Sequence, residues 1–153
     1  MRDEAWLKDQ LDFLLTKYFA NIKVSNPIEI KWGREAKFRF GSIRLVKPKG
    51  ARILRGFRTL TKIRENQPQK SIIIITSMFR NEEIPEKVAQ YTIAHELCHY
   101  AHGFSSANKR LFRHPHHGGV VNQELRERGA EELIGDFKKW LKAYRRQILA
   151  TRH

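Results

Sequence analysis

Apolar residues recur at helical spacing in the first stretch of the chain. Over residues 4–20, Leu7, Leu11, Leu14, Leu15 and Tyr18 fall three or four apart, the pattern of an amphipathic helix. Asn26-Pro27 breaks that pattern, and Ile28-Glu29-Ile30-Lys31-Trp32 then alternates as a short strand does. Gly33 marks a turn. Phe38-Arg39-Phe40 and Ile43-Arg44-Leu45-Val46 continue the strand pattern, with Gly41-Ser42 as a bulge or bend between them. Pro48-Lys49-Gly50 and Asn66-Gln67-Pro68 are turn signals, and residues 53–63 between them read as a loose strand or a basic loop. The strongest strand is Ser71-Ile72-Ile73-Ile74-Ile75-Thr76. Its unbroken apolar run predicts burial on both faces, or burial on one face and ligand cover on the other.

Pro85 suits the first turn of a helix, and residues 86–102 carry a helical stripe of Ala89, Ile93, Leu97 and Tyr100 or Ala101. The opposite side holds Tyr91 or Thr92, His95, His99 and His102, and Gly103 is a stop signal. Residues 104–118 read as a loop. A helix from about Gly119 to Arg128 ends at Gly129, and a last helix runs from Ala130 to about Leu149 with Leu133, Phe137, Trp140, Leu141, Tyr144 and Ile148 on one side. The expected fold is α+β: a small, mostly antiparallel sheet packed against the N-terminal helix, the histidine-bearing helix and the C-terminal helices. No repeat or linker divides residues 1–153, so one domain is expected.

Composition narrows the classes. With 41% hydrophobic and 30% charged residues in 153, the chain has the means to build a core. It contains no apolar run near the ~20 residues of a membrane span and no signal-peptide pattern, so a cytoplasmic location and no membrane partner are expected. The formal net charge is +14, and residues 31–70, from Lys31 to Lys70, hold thirteen lysines and arginines against Glu35 and Glu65. That asymmetry suggests DNA or another polyanion as a partner. A single cysteine, Cys98, excludes an internal disulfide and any four-cysteine zinc ribbon, and its position suggests packing rather than chemistry.

The chemistry concentrates at His95-Glu96-Leu97-Cys98-His99, an H-E-x-x-H string within the predicted helix. Residues i and i+4 share a helix face, so His95 and His99 can grip one metal ion while Glu96 takes a proton from its water. Hydrolytic zinc takes a third protein ligand and keeps one position open. His102 and Ser105 stand where the metzincin spacing requires glycine and histidine, so that class is excluded. Glu124, Glu127, Glu131 and Glu132 are carboxylate candidates, and His114, His116 and His117 are imidazole candidates. His102, one turn beyond His99, is expected beside the site or on the surface. Glu131 and Glu132 suit the positive end of the last helix, or could orient a ligand histidine.

The string Thr92-Ile93-Ala94-His95-Glu96-Leu97-Cys98-His99, the Ile-rich strand before it and His117-Gly118 ahead of a helix resemble the SprT-like metalloproteases, over about residues 28–128. Relatives in that group, the Spartan proteases, cut proteins crosslinked to DNA. The resemblance implies a zincin-like fold, Zn²⁺ as cofactor and His117 as third ligand, with His116 and His114 as neighbours that a loop shift would substitute. It departs from members with a C-terminal zinc ribbon. The expected function is a zinc endopeptidase in which Glu96 is the catalytic base. In it, residues 72–76 form the sheet edge for an extended protein or peptide substrate, and Tyr91, Tyr100 or His114 donates to the oxyanion. The alternative is a basic nucleic-acid-binding module with a structural zinc site.

Overall fold

The computed structural model describes residues 1–46, 69–116 and 119–151. Its fold is α+β, a three-stranded mixed sheet with four helices among the described residues. Helix α1, Glu4–Lys17, starts where the Asp3 carboxylate accepts from the Trp6 N–H at 2.8 Å, which satisfies one of the unpaired amides of the first turn. Its Leu7, Leu11 and Leu14 are buried, and Trp6 stacks on Trp32 of the sheet with ring centroids 6.1 Å apart.

The strands are β1 (Ile28–Trp32), β2 (Gly41–Val46) and β3 (Lys70–Ile75), in the order β1-β3-β2. Strand β3 pairs in parallel with β1 (Ile30 opposite Ile73) and antiparallel with β2 (Ile43 opposite Ile73). The sheet is therefore mixed rather than mostly antiparallel. This order also removes residues 72–76 from the edge: β3 bonds on both sides, which explains why Ile72, Ile73 and Ile75 are all buried. Among the described residues, β2 is the outer strand on the side of the histidine helix. Phe38-Arg39-Phe40 are not strand. They lead into β2 as irregular chain, and regular pairing starts at Gly41 opposite Ile75. The stretch 53–63 lies outside the described residues, as do Lys47, Lys49, Arg52, Arg55, Arg58, Lys62 and Arg64 of the basic segment.

Helix α2, Glu86–Ala101, carries the motif and buries eleven of its sixteen residues. A helix apolar nearly all round must be covered on most sides, and α2 packs against the sheet, α1, and both later helices, α3 (Val120–Glu127) and α4 (Glu131–Thr151). Its C-terminus closes in a Schellman arrangement: the Gly103 N–H donates to Tyr100 O and the Phe104 N–H to His99 O, at 3.1 and 2.9 Å. Gly103 has φ +84°, and a Cβ there would lie 2.5 Å from Lys109 O. The chain thus folds back over the helix end. The loop that follows is held by a buried network in which Tyr100 donates to Asn26 O, Asn26 Nδ2 to Ser71 Oγ, and Ser71 Oγ to Ser105 O. No helix among the described residues is long and apolar enough to cross a membrane.

Candidate metal centre

Helix α2 presents His95 and His99 on one face, their ring centroids 4.7 Å apart. The returning loop brings His116 to them. Its Nε2 lies 3.1 Å from His95 Nε2, and its ring is 4.8 Å from that of His99. One ligand atom from each of the three falls within 4.8 Å of the others, so His95, His99 and His116 could hold a metal ion. The donor set fits a zinc-class cation. Two nitrogens bound to one tetrahedral zinc at about 2.0–2.1 Å sit about 3.3 Å apart, close to the observed His95–His116 separation. His99 Nδ1 is also buried without a hydrogen-bond partner among the described residues.

Electrostatics favour the same occupant. Burial lowers the pKa of His95 to about 4 and of His99 to about 3, with His116 adding repulsion to both and His95 to His99. Neutral imidazoles are the form that binds metal. Glu96 is buried too, and desolvation raises its carboxyl to about 7 against the opposing pull of Arg39. The start of β2 abuts this carboxylate: a Cβ on Gly41 would sit 2.7 Å from Thr92 Cγ2 and 3.4 Å from Glu96 Oε1.

These groups line an open cleft of about 590 Å³. One wall is Gly41, Ser42 and Ile43 of β2, and another is Phe104, Arg110 and His116 of the loop. Tyr91 and Phe137 line it as well, stacked at 4.2 Å.

Of the three expected oxyanion donors, only Tyr91 reaches the cleft, and its hydroxyl donates to Asn122 Oδ1 at 2.8 Å. Tyr100 turns the other way, donating to Asn26 O at 2.7 Å, and is fully buried. His114 is exposed and does not line the cleft.

His102 is neither on the surface nor at the histidine cluster. It is buried, with Nε2 against Glu124 Oε2, while Glu124 Oε1 receives two hydrogen bonds from Arg128. That ion-paired network takes Glu124 away from the cluster, and Glu132 is likewise paired with Lys87. Cys98 is buried, and desolvation pushes its thiol up, which keeps it an inert packing group.

His117 and Gly118 lie outside the described residues. Sequence reasoning held His116 only as a neighbour of that position, because adjacent loop imidazoles carry no periodicity that separates them. It missed Arg39 and Arg110 as cleft residues altogether, since nothing in a basic, irregular stretch signals which cation faces inward. The chain matches no family model and has no significant match among curated proteins or solved structures.

Proposed function

We propose that this chain is a zinc-dependent peptidase of the zincin type. The observation that carries the reading is a buried carboxylate, Glu96, lining the same cleft as three clustered imidazoles, His95, His99 and His116. His95, His99 and His116 would hold the cation. When bound, zinc supplies a Lewis acid and a water whose pKa falls toward ~7.

Glu96 does the proton work. A carboxyl with its pKa near 7 is substantially ionised at neutral pH and basic enough to accept a proton from water. It holds that proton at Oε and returns it to the leaving amine nitrogen. Strand β2 orients the substrate: as the outer strand beside the cleft among the described residues, it offers backbone groups to an extended peptide, which binds main chain without demanding a sequence. The stacked pair Tyr91–Phe137 excludes water on one side of the cleft.

The test is Glu96→Gln. The variant keeps the shape of the side chain and the histidines, so zinc binds with unchanged stoichiometry by calorimetry. Hydrolysis of a quenched fluorescent peptide library falls by about 10²–10⁴-fold. Wild-type rates in the zinc-loaded variant would overturn the reading.

A further inference from the structure

The cleft has a charge of its own. Apart from Glu96 no carboxylate lines it among the described residues, whereas two guanidiniums do, Arg39 and Arg110. They come from separate segments, and each is anchored by its surroundings while its charged head stays available. Arg39 precedes Phe40, whose ring packs against Phe79, Phe137, Trp140 and Tyr144 at centroid distances of 5.4–6.1 Å. The Tyr144 hydroxyl donates to Lys37 O at 3.0 Å, which ties down the same segment. Arg39 is exposed and makes no ion pair or hydrogen bond among the described residues. Arg110 lies 4.6 Å over the Phe104 ring, which meets His99 edge-on at 6.2 Å. Among the described residues its side chain hydrogen-bonds only to the neutral Arg113 carbonyl, at 3.1 Å, and no carboxylate pairs with it.

We infer that the cleft selects peptides with carboxylate side chains flanking the bond to be cut, Arg39 and Arg110 being the specificity-determining residues. This rests on the peptidase reading and names its substrate class. Guanidiniums recognise carboxylates by charge-assisted, often bidentate hydrogen bonds, and apart from Glu96, which Arg39 faces electrostatically, the described lining offers them no acid, leaving those bonds to the substrate. A lysine in the same place would meet two like charges and no acceptor other than Glu96.

The experiment compares three matched quenched peptides, with Glu, Gln or Lys on both sides of the scissile bond, on the zinc-loaded full chain. The Glu peptide should exceed its Gln twin about tenfold in kcat/KM, and the Lys peptide should fall below it. The Glu/Gln ratio should drop toward one in Arg39→Gln/Arg110→Gln, and also in about 0.5 M salt. It should persist in Lys142→Gln/Arg145→Gln, which removes exposed charges of α4 away from the cleft. Equal rates, a preference for Lys, or a ratio indifferent to the double cleft variant would overturn the inference.

Should none of the peptides be cut, the peptidase reading fails instead. Anisotropy of the labelled Glu and Gln peptides, with and without Arg39, then still decides the charge selection. An oligothymidylate bound more tightly than the Glu peptide and dependent on Arg39 would mark the cleft as a nucleic-acid path and likewise overturn it.

Discussion

His99, in the last turn of α2, and His102, at its C-cap, are almost equally buried, 6% and 2% exposed, yet their surroundings are opposite. His102 sits against the Glu124 carboxylate, itself clamped by Arg128, and the pair links the end of α2 to α3, while burial outweighs the pull of Glu124 and holds the His102 pKa below its usual value. Among the described residues His99 faces two further imidazoles, and no carboxylate is paired with it. There a proton is repelled, and the three imidazoles could hold a metal ion instead. The difference teaches that burial of a histidine says little about its role. The nearest partner separates the two: an anion gives His102 a structural pair, and more imidazole gives His99 a donor set that could hold a metal ion.

The largest effect that sharpens this contrast is on zinc affinity. His116→Ala should weaken zinc binding by more than about 100-fold, beyond what loss of an orienting partner causes, whereas His102→Ala should leave it within a few-fold. Competition with a chromophoric chelator measures both, and His117→Ala beside them tests the loop neighbour. Equal losses in His116→Ala and His102→Ala would erase the distinction.

Stability should show the reverse order. His102→Ala removes a buried ring and one partner of the half-buried Glu124, which keeps Arg128, and should cost about 1–3 kcal/mol in urea unfolding of the metal-free chain. His116→Ala, at an exposed position, should cost well under 1 kcal/mol.

Gly103→Ala should cost about 2 kcal/mol, from a left-handed φ and a Cβ pressed against the Lys109 carbonyl. It should also loosen zinc, because the turn it distorts carries His116 back to α2. Unchanged zinc affinity in that variant would show that the loop closes without the turn.

The smallest effect is on pH dependence. His95, His99 and His102 have native pKa values below the unfolded value, so below about pH 6.5 they take up protons only on unfolding, and stability falls as pH falls. Glu96 has its native pKa raised to about 7, so between pH 7 and 4.5 it takes up a proton only in the native state and opposes that loss. Removing it in Glu96→Gln should therefore steepen the acid loss of stability of the metal-free chain by about one proton between pH 6.5 and 4.5. Denaturant midpoints at pH 7, 6 and 5 read this out. Parallel slopes for the two proteins would place the Glu96 proton elsewhere.

Much of the frame was legible in the chain because it rests on local physics. Leu7, Leu11 and Leu14 repeat at helical spacing and are buried in α1. The Ser71–Thr76 run has no polar alternation and proved to be buried on both faces. His95 and His99, four apart on a helix, share one face. Cys98 had only packing to do. Where reading failed, a distant partner had decided. Phe38-Arg39-Phe40 alternate like a strand, yet the Phe40 ring is claimed by an aromatic cluster from α4 and the chain before α2, and pairing begins only at Gly41. His102 and Tyr100 looked available to the site until Glu124 and Asn26 took them.

The sequence by itself determined that this protein has a histidine pair with an adjacent carboxylate on a buried helix, since periods of 3.6 and 2 residues are properties of neighbours along the chain. Only the tertiary structure decided that β3 is central and β2 outer among the described residues, that His116 joins the pair, and that Arg39 and Arg110 line the cleft. Strand order and loop return join residues far apart along the chain, and no local periodicity encodes which of them meet.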